Sequence, residues 1–214
     1  MPPQTLSVHN ALPASLRPLA LRGDVRRYRK DTLLIQEGET GDTLYIILSG
    51  RLRAFSMGER DREITYGVYG PGEYLGEMSL DGGARSASVI TLEASQCAVI
   101  TRRTLEAHIA AEPAFAFDLL AKVIRRARAA TLTAKQLALN DVYGRLVLLL
   151  DALAVAQPDG GRRITQKPTH RDMASRLGCS REMVSRLMKD LERGRYVQVS
   201  GGAIDIPGRL PPKW

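Results

Sequence analysis

From Ala114 to Tyr143 the chain contains neither proline nor glycine, and alanine, leucine and arginine dominate. Such a stretch has little choice but one long helix, and Pro113 marks its start. The residues before it behave differently. Short apolar runs at 33–35, 44–48, 51–55, 64–69 and 86–92 alternate with turn residues such as Ser49-Gly50, Met57-Gly58, Gly70-Pro71-Gly72 and Asp81-Gly82-Gly83. That punctuation, about every ten residues, predicts a small antiparallel β-roll. The chain is therefore read as α+β: a roll over 1–112, a long helix over 113–140 and a helical tail over 141–214.

The long helix carries Phe117, Leu120, Ile124, Ala127, Thr131, Ala134 and Ala138 at alternating spacings of 3 and 4. This is the repeat of a coiled-coil seam, and it predicts pairing with a second copy. Packing on its own roll is the competing reading. The small residues at 127 and 134 let two backbones approach closely while lowering the apolar area buried.

Charge separates the regions further. Residues 122–140 carry 5 Lys+Arg and no Asp+Glu, and residues 141–214 carry 13 against 8, on a chain of net charge +8. A basic tail on a chain of pI ≈ 9.8 suits a polyanion, nucleic acid before membrane. The longest aliphatic run, 146–150, is far below the ~18 residues that cross a bilayer, and no secretory leader is visible, so a cytoplasmic protein is expected.

In the tail, 142–156 reads as a short helix, 157–161 as a polar loop, and the segment from Thr169 to Met188 as a helix-turn-helix. Thr169 caps the first helix, with Asp172 closing a capping box; Met173, Ala174 and Leu177 face inward and Gly178 ends the helix. Ser180 caps the second helix, whose Val184, Leu187, Met188 and Leu191 point inward. Arg181, Glu182, Ser185 and Arg186 are left outside near its start, where a major-groove helix meets base edges. Arginine can bond guanine at two atoms and glutamate can accept from cytosine. Thr169, His170, Arg171, Ser180 and Lys189 suit phosphates, which fix register and not sequence. Residues 195–199 and 203–206, around Gly201-Gly202, read as a two-stranded wing.

Roll, coiled helix and winged helix-turn-helix, in that order, resemble the CRP/FNR (catabolite-activator) family of bacterial transcription regulators. The likeness spans about residues 20–206. It rests on Gly41-Asp42-Thr43-Leu44-Tyr45, on the run from Gly72 to Ser79 with Arg85-Ser86-Ala87, on the run from Asp141 to Leu146, and on Gly178-Cys179-Ser180-Arg181-Glu182.

The resemblance implies a cyclic-nucleotide-binding cassette at Gly76, Glu77, Met78, Arg85, Ser86 and Ala87. Arg85 would pair with the cyclic phosphate, the backbone of Ser86 and Ala87 would complete its shell, and Glu77 would accept the ribose 2′-hydroxyl. A plain Glu77–Arg85 salt bridge is the alternative. Members that sense cyclic AMP place two adjacent hydroxyls of the long helix against the adenine; here those positions are Ala130 and Thr131, so one hydroxyl is absent. Cyclic AMP is the first expectation, with cyclic GMP or another nucleotide next. The implied partners are a second copy of the chain and double-stranded DNA bearing a near-palindrome of TGTGA-like half-sites. RNA polymerase is a further candidate; residues 157–163 could touch it, a plain polar connector being the first reading of that segment.

Other sensors fit less well. Cys97 and Cys179 cannot supply the four thiolates of an iron–sulfur cluster, and His9, His108 and His170 are poorly placed as haem ligands. No metal-ligand cluster is visible. The usual hydrolase, metalloprotease and phosphate-loop signatures are absent, so no enzyme is expected. A regulator whose roll takes another effector, or no small ligand, stays open.

Overall fold

The computed structural model describes residues 12–58, 63–158 and 160–211, with the side chains of Gln136 and Ala138 left aside. His9 and Asp159 lie outside the described residues. The chain forms two compact units. The first runs to Ser56 and resumes over Thr65–Ala129; the second takes Met57–Ile64 and Ala130 onward.

In the first unit, a short helix α1 (Arg17–Ala20) leads into β1 (Asp24–Tyr28), β2 (Leu33–Ile35), β3 (Leu44–Ser49) and β4 (Leu52–Met57). There follow β5 (Glu63–Tyr69), β6 (Tyr74–Leu75), a 3₁₀ turn (Glu77–Ser79), β7 (Ser88–Thr91) and β8 (Ser95–Ile100). Two sheets, ordered β1-β8-β3-β6 and β2-β7-β4-β5, make the roll. Val25 and Ile46 both register against Ala98, which places β8 between antiparallel neighbours. Strand β3 shows how the pattern becomes a core. Leu44, Ile46 and Leu48 point into one cluster with Tyr74, Ala98, Ile100, Leu105 and Phe115, whereas Ile47 points into another with Leu52, Val89 and Cys97. The period of two thus feeds opposite sides of one strand, and the strand reads as a continuous apolar run.

Helix α2 (Arg102–Ala111) starts at Thr101, whose hydroxyl accepts from the Thr104 backbone, and buries Leu105 and His108. Helix α3 (Ala114–Leu139) is the long helix that the absence of proline and glycine predicts. Of its seam residues, Phe117, Leu120 and Ile124 are 75%, 55% and 49% exposed, and Ala127, Thr131 and Ala134 fall in the exposed class too.

The second unit continues with α4 (Val142–Leu153), β9 (Val155–Ala156), β10 (Arg162–Ile164), α5 (His170–Leu177), α6 (Arg181–Arg193), β11 (Gln198–Ser200) and β12 (Ala203–Ile206). Two expectations need correction. The helix expected to reach 156 stops at Leu153, and Val155–Ala156 turns into a strand. The expected loop over 157–163 gives its last two residues to β10, so the wing is part of a four-stranded sheet, β11-β12-β10-β9. Arg162 pairs across to Ile206 on one side and Ala156 on the other, which supplies the backbone partners that extend the sheet. Leu146, Leu150, Met173, Val184, Met188, Leu191 and Ile204 close the core of this unit.

Candidate ligand and nucleic-acid sites

The cassette begins where β6 ends. Gly76 sits at φ +98°, and a Cβ there would lie 2.4 Å from the Thr43 carbonyl oxygen, so only glycine lets the chain turn into Glu77. Arg85 is buried and its two terminal nitrogens face inward. Nη1 donates to the Gly76 carbonyl (2.9 Å) and Ser79 Oγ (2.8 Å), and Nη2 to the carbonyl (3.0 Å) and hydroxyl (2.9 Å) of Thr43. Arg85 therefore knits the Gly41–Thr43 loop to the cassette turn. Ser86 and Met78 are exposed and Ala87 is half-buried.

Glu77 does not pair with Arg85. Its carboxylate is fully buried in an ion pair with Arg126 of α3, and neither oxygen receives a further hydrogen bond among the described residues. Arg126 also donates to the Tyr74 carbonyl (2.6 Å), and its guanidinium lies over the Tyr69 ring (4.8 Å) and, farther off, over the Tyr74 ring (5.9 Å). Lys122, one turn earlier, donates to Glu73 (3.0 Å) and stands over Tyr74. Burial pushes the Tyr74 phenol up to about 12, with Arg126 opposing and Glu77 reinforcing the rise. Arg126 and Lys122 escaped the sequence reading as site residues: the five cations beside the seam read as uncompensated, whereas these two are paired with Glu77 and Glu73. A pair of basic residues four apart on a helix was the available signal.

Chemically, the site offers a buried carboxylate with acceptor capacity in hand, a guanidinium beside it and two aromatic faces. A carboxylate of this kind can accept from a hydroxyl, and a guanidinium can donate to an anion. Thr131 lies at an exposed position of α3, beyond the part of the helix that belongs to the first unit.

The helix-turn-helix is assembled as its residues dictate. Thr169 Oγ1 accepts from the Asp172 backbone (3.1 Å) and the Asp172 carboxylate accepts from the Thr169 backbone (3.2 Å), completing the box. Gly178 takes φ +64° at the end of α5, and Ser180 Oγ accepts from the Met183 backbone (3.2 Å) at the start of α6. Met173, Ala174, Leu177, Val184, Leu187, Met188 and Leu191 are buried, while Arg181, Glu182, Arg186 and Lys189 are exposed and Ser185 is half-exposed. Arg145 of α4 braces the turn from below: Nε donates to the Leu177 carbonyl (3.1 Å) and Nη1 to the Asn140 carbonyl (2.8 Å).

Beside α5 opens a cleft of about 400 Å³ lined by Lys167, Pro168, Thr169, His170, Arg171, Arg181 and Gly202. The Lys167 backbone N–H donates to the Gly202 carbonyl (2.8 Å), which ties the wing turn to the loop before α5. The cleft brings together three residues assigned to phosphates with Arg181, and adds Lys167 and Gly202 to them.

Comparison with known proteins identifies two domain families in the chain. Residues 25–112 match the cyclic nucleotide-binding domain family, and residues 144–209 match the Crp-like helix-turn-helix domain. The chain is 32% identical over 174 residues to the CRP-like cAMP-activated global transcriptional regulator of Mycobacterium tuberculosis, covering 79% of this chain and 78% of that one. It is 30% identical over 191 residues to the cAMP-activated global transcriptional regulator CRP of Escherichia coli, covering 86% and 90%. Among solved structures, the c-di-GMP responsive global regulator CLP of Xanthomonas campestris superposes with a TM-score of 0.77 at 25% identity, covering 91% of this chain and 99% of that one.

Roll and winged tail thus define a regulator with a cyclic nucleotide-binding domain and a DNA-binding domain. The chain belongs to the CRP/FNR family of transcription regulators.

Proposed function

We propose that the protein is a homodimeric, cytoplasmic transcription regulator, with no catalytic activity of its own, that binds near-palindromic DNA under the control of a cyclic nucleotide, cyclic AMP first. The observation that carries the ligand reading is Glu77: a carboxylate buried in the cassette, held by Arg126 and still able to accept from a ribose hydroxyl. Gly76, Met78, Arg85, Ser86 and Ala87 line the same loop in this reading, and Thr131 reaches the base. The exposed apolar side chains of Phe117, Leu120 and Ile124 support pairing of α3 with a second copy, Ala127, Thr131, Ala134 and Ala138 continuing the repeat. Division into a sensor over 1–112, a dimer helix over 113–140 and a DNA-binding tail over 141–214 follows from this scheme.

Ligand bound between the cassette and α3 would bias the helix pair and set two recognition helices about 34 Å apart, one turn of DNA. Arg181, Glu182, Ser185 and Arg186 would read TGTGA-like half-sites, and Thr169, His170, Arg171, Ser180 and Lys189 would hold phosphates. A polymerase contact at the loop before β10 belongs to the same scheme.

A second reading has its own support. Both terminal nitrogens of Arg85 are already satisfied from inside, and a similar fold belongs to a regulator described as c-di-GMP responsive. In that reading the roll takes another effector or none. Calorimetric titration of the purified protein with cyclic AMP and cyclic GMP separates the two. Micromolar heat selective for cyclic AMP supports the first; no heat with either, from folded protein that still binds DNA, supports the second.

A further inference from the structure

We propose that the cleft between residues 167–171, Arg181 and the wing turn at Gly202 seats one DNA backbone phosphate, and that His170 takes up a proton as the phosphate arrives, so that DNA affinity rises as pH falls. This rests on the DNA-binding reading above and adds a regulatory input to it.

The geometry sets up the coupling. Lys167, Arg171 and Arg181 line the cleft and no acidic residue does, so the cavity is an anion site by charge. Gly202 contributes no side chain, which leaves the wing side open to a bulky oxyanion. His170 lines the same cleft, and its Nε2 is buried with no hydrogen-bond partner among the described residues. In the free protein a second proton on this ring would stand among cations.

Groups facing the ring come from each element around it. Lys167 precedes α5, Arg171 follows within it, and Arg181 and Glu192 belong to α6. Burial first, then Lys167 and Arg181, hold the imidazole below its ordinary value, and Glu192 opposes them. A phosphate in the cleft reverses that balance, because it brings negative charge beside a ring that otherwise stands among Lys167, Arg171 and Arg181. The imidazole then gains one N–H bond to a proton given up by hydronium or buffer acid, and no other bond changes. Each protomer so binds one more cation to the duplex at acid pH than at alkaline pH.

The test measures affinity of the full chain for a labelled duplex with inverted TGTGA half-sites, and for a scrambled duplex, at about pH 6 and about pH 8, with cyclic AMP present throughout. The expected result is binding tighter by about fivefold or more at the lower pH, with the salt slope steeper by about one unit per protomer. In His170→Gln both differences vanish, whatever the affinity level; His170→Arg, which keeps its charge, binds independently of pH with the steeper slope. Wild-type affinity that ignores pH, or a pH effect that survives in His170→Gln, overturns the proton coupling while leaving DNA binding intact. Folded protein that binds neither duplex at low salt at either pH overturns the DNA-binding reading, and the inference with it.

Discussion

The Arg126 guanidinium meets the Glu77 carboxylate in an ion pair whose acidic partner is almost wholly shielded from water. This one contact joins α3 to the cassette turn. Because a buried carboxylate is costly without its counter-ion, removing Arg126 penalises more than the lost attraction.

Arg126→Met is therefore expected to destabilise the protein by about 3–5 kcal/mol, read from urea unfolding. Adding Glu77→Gln to the same chain should recover part of that loss, since no charge is then stranded. Equal losses in the single and double variants would show that packing on Tyr69 and Tyr74 outweighs the charge pair.

Arg85 bridges four acceptors on Gly76, Ser79 and Thr43. Arg85→Leu should abolish any nucleotide response and also cost at least about 3 kcal/mol, because buried acceptors lose their donors. Unfolding midpoint and nucleotide titration check the two effects separately; an unchanged midpoint would assign Arg85 to the ligand alone.

His108 is buried edge-on to Phe115, with neither ring nitrogen partnered among the described residues. Burial, reinforced by Arg22 and opposed by Glu112, lowers its affinity for a proton below the ordinary value of 6.5. The unfolded chain then binds the proton more readily, so stability is complete above about pH 6.5 and falls as pH drops below it. Thermal unfolding at pH 5.5 should come at a lower temperature than at pH 7.5, and His108→Phe should narrow that gap.

Arg181 and Lys189 both stand exposed on α6, Arg181 at its start and Lys189 two turns on. Arg181→Ala should weaken specific DNA binding by about 1–3 kcal/mol and relax preference at one base pair. Lys189→Ala should weaken all duplexes evenly and reduce the salt slope by about one. Competition against half-site variants distinguishes them, and unchanged preference in Arg181→Ala would place another residue against the base.

Local chemistry was the most legible part of the chain. Caps at Thr169 and Ser180, the left-handed Gly178 and the inward faces of α5 and α6 each follow from neighbours within a turn or two, and each stands where the spacing puts it. What escaped depends on distant pairing. Val155–Ala156 is only two residues long and becomes a strand because Arg162 and Arg163 lie alongside. Likewise Glu77 finds Arg126 across a long stretch of chain, and nothing near Glu77 in sequence distinguishes that partner from Arg85. The seam of α3 was readable as a repeat, whereas the exposure of Phe117, Leu120 and Ile124 could be read only from the folded chain.

The brace formed by Arg145 has a mechanical consequence. One guanidinium grips two carbonyls, one just past the end of α3 and one at the last turn of α5. Bonds from a charged donor resist separation by about 1.5–3 kcal/mol each. Moving Asn140 relative to Leu177 therefore means losing or re-aiming a bond at one end of the Arg145 side chain, so the two helix ends are linked through a single residue.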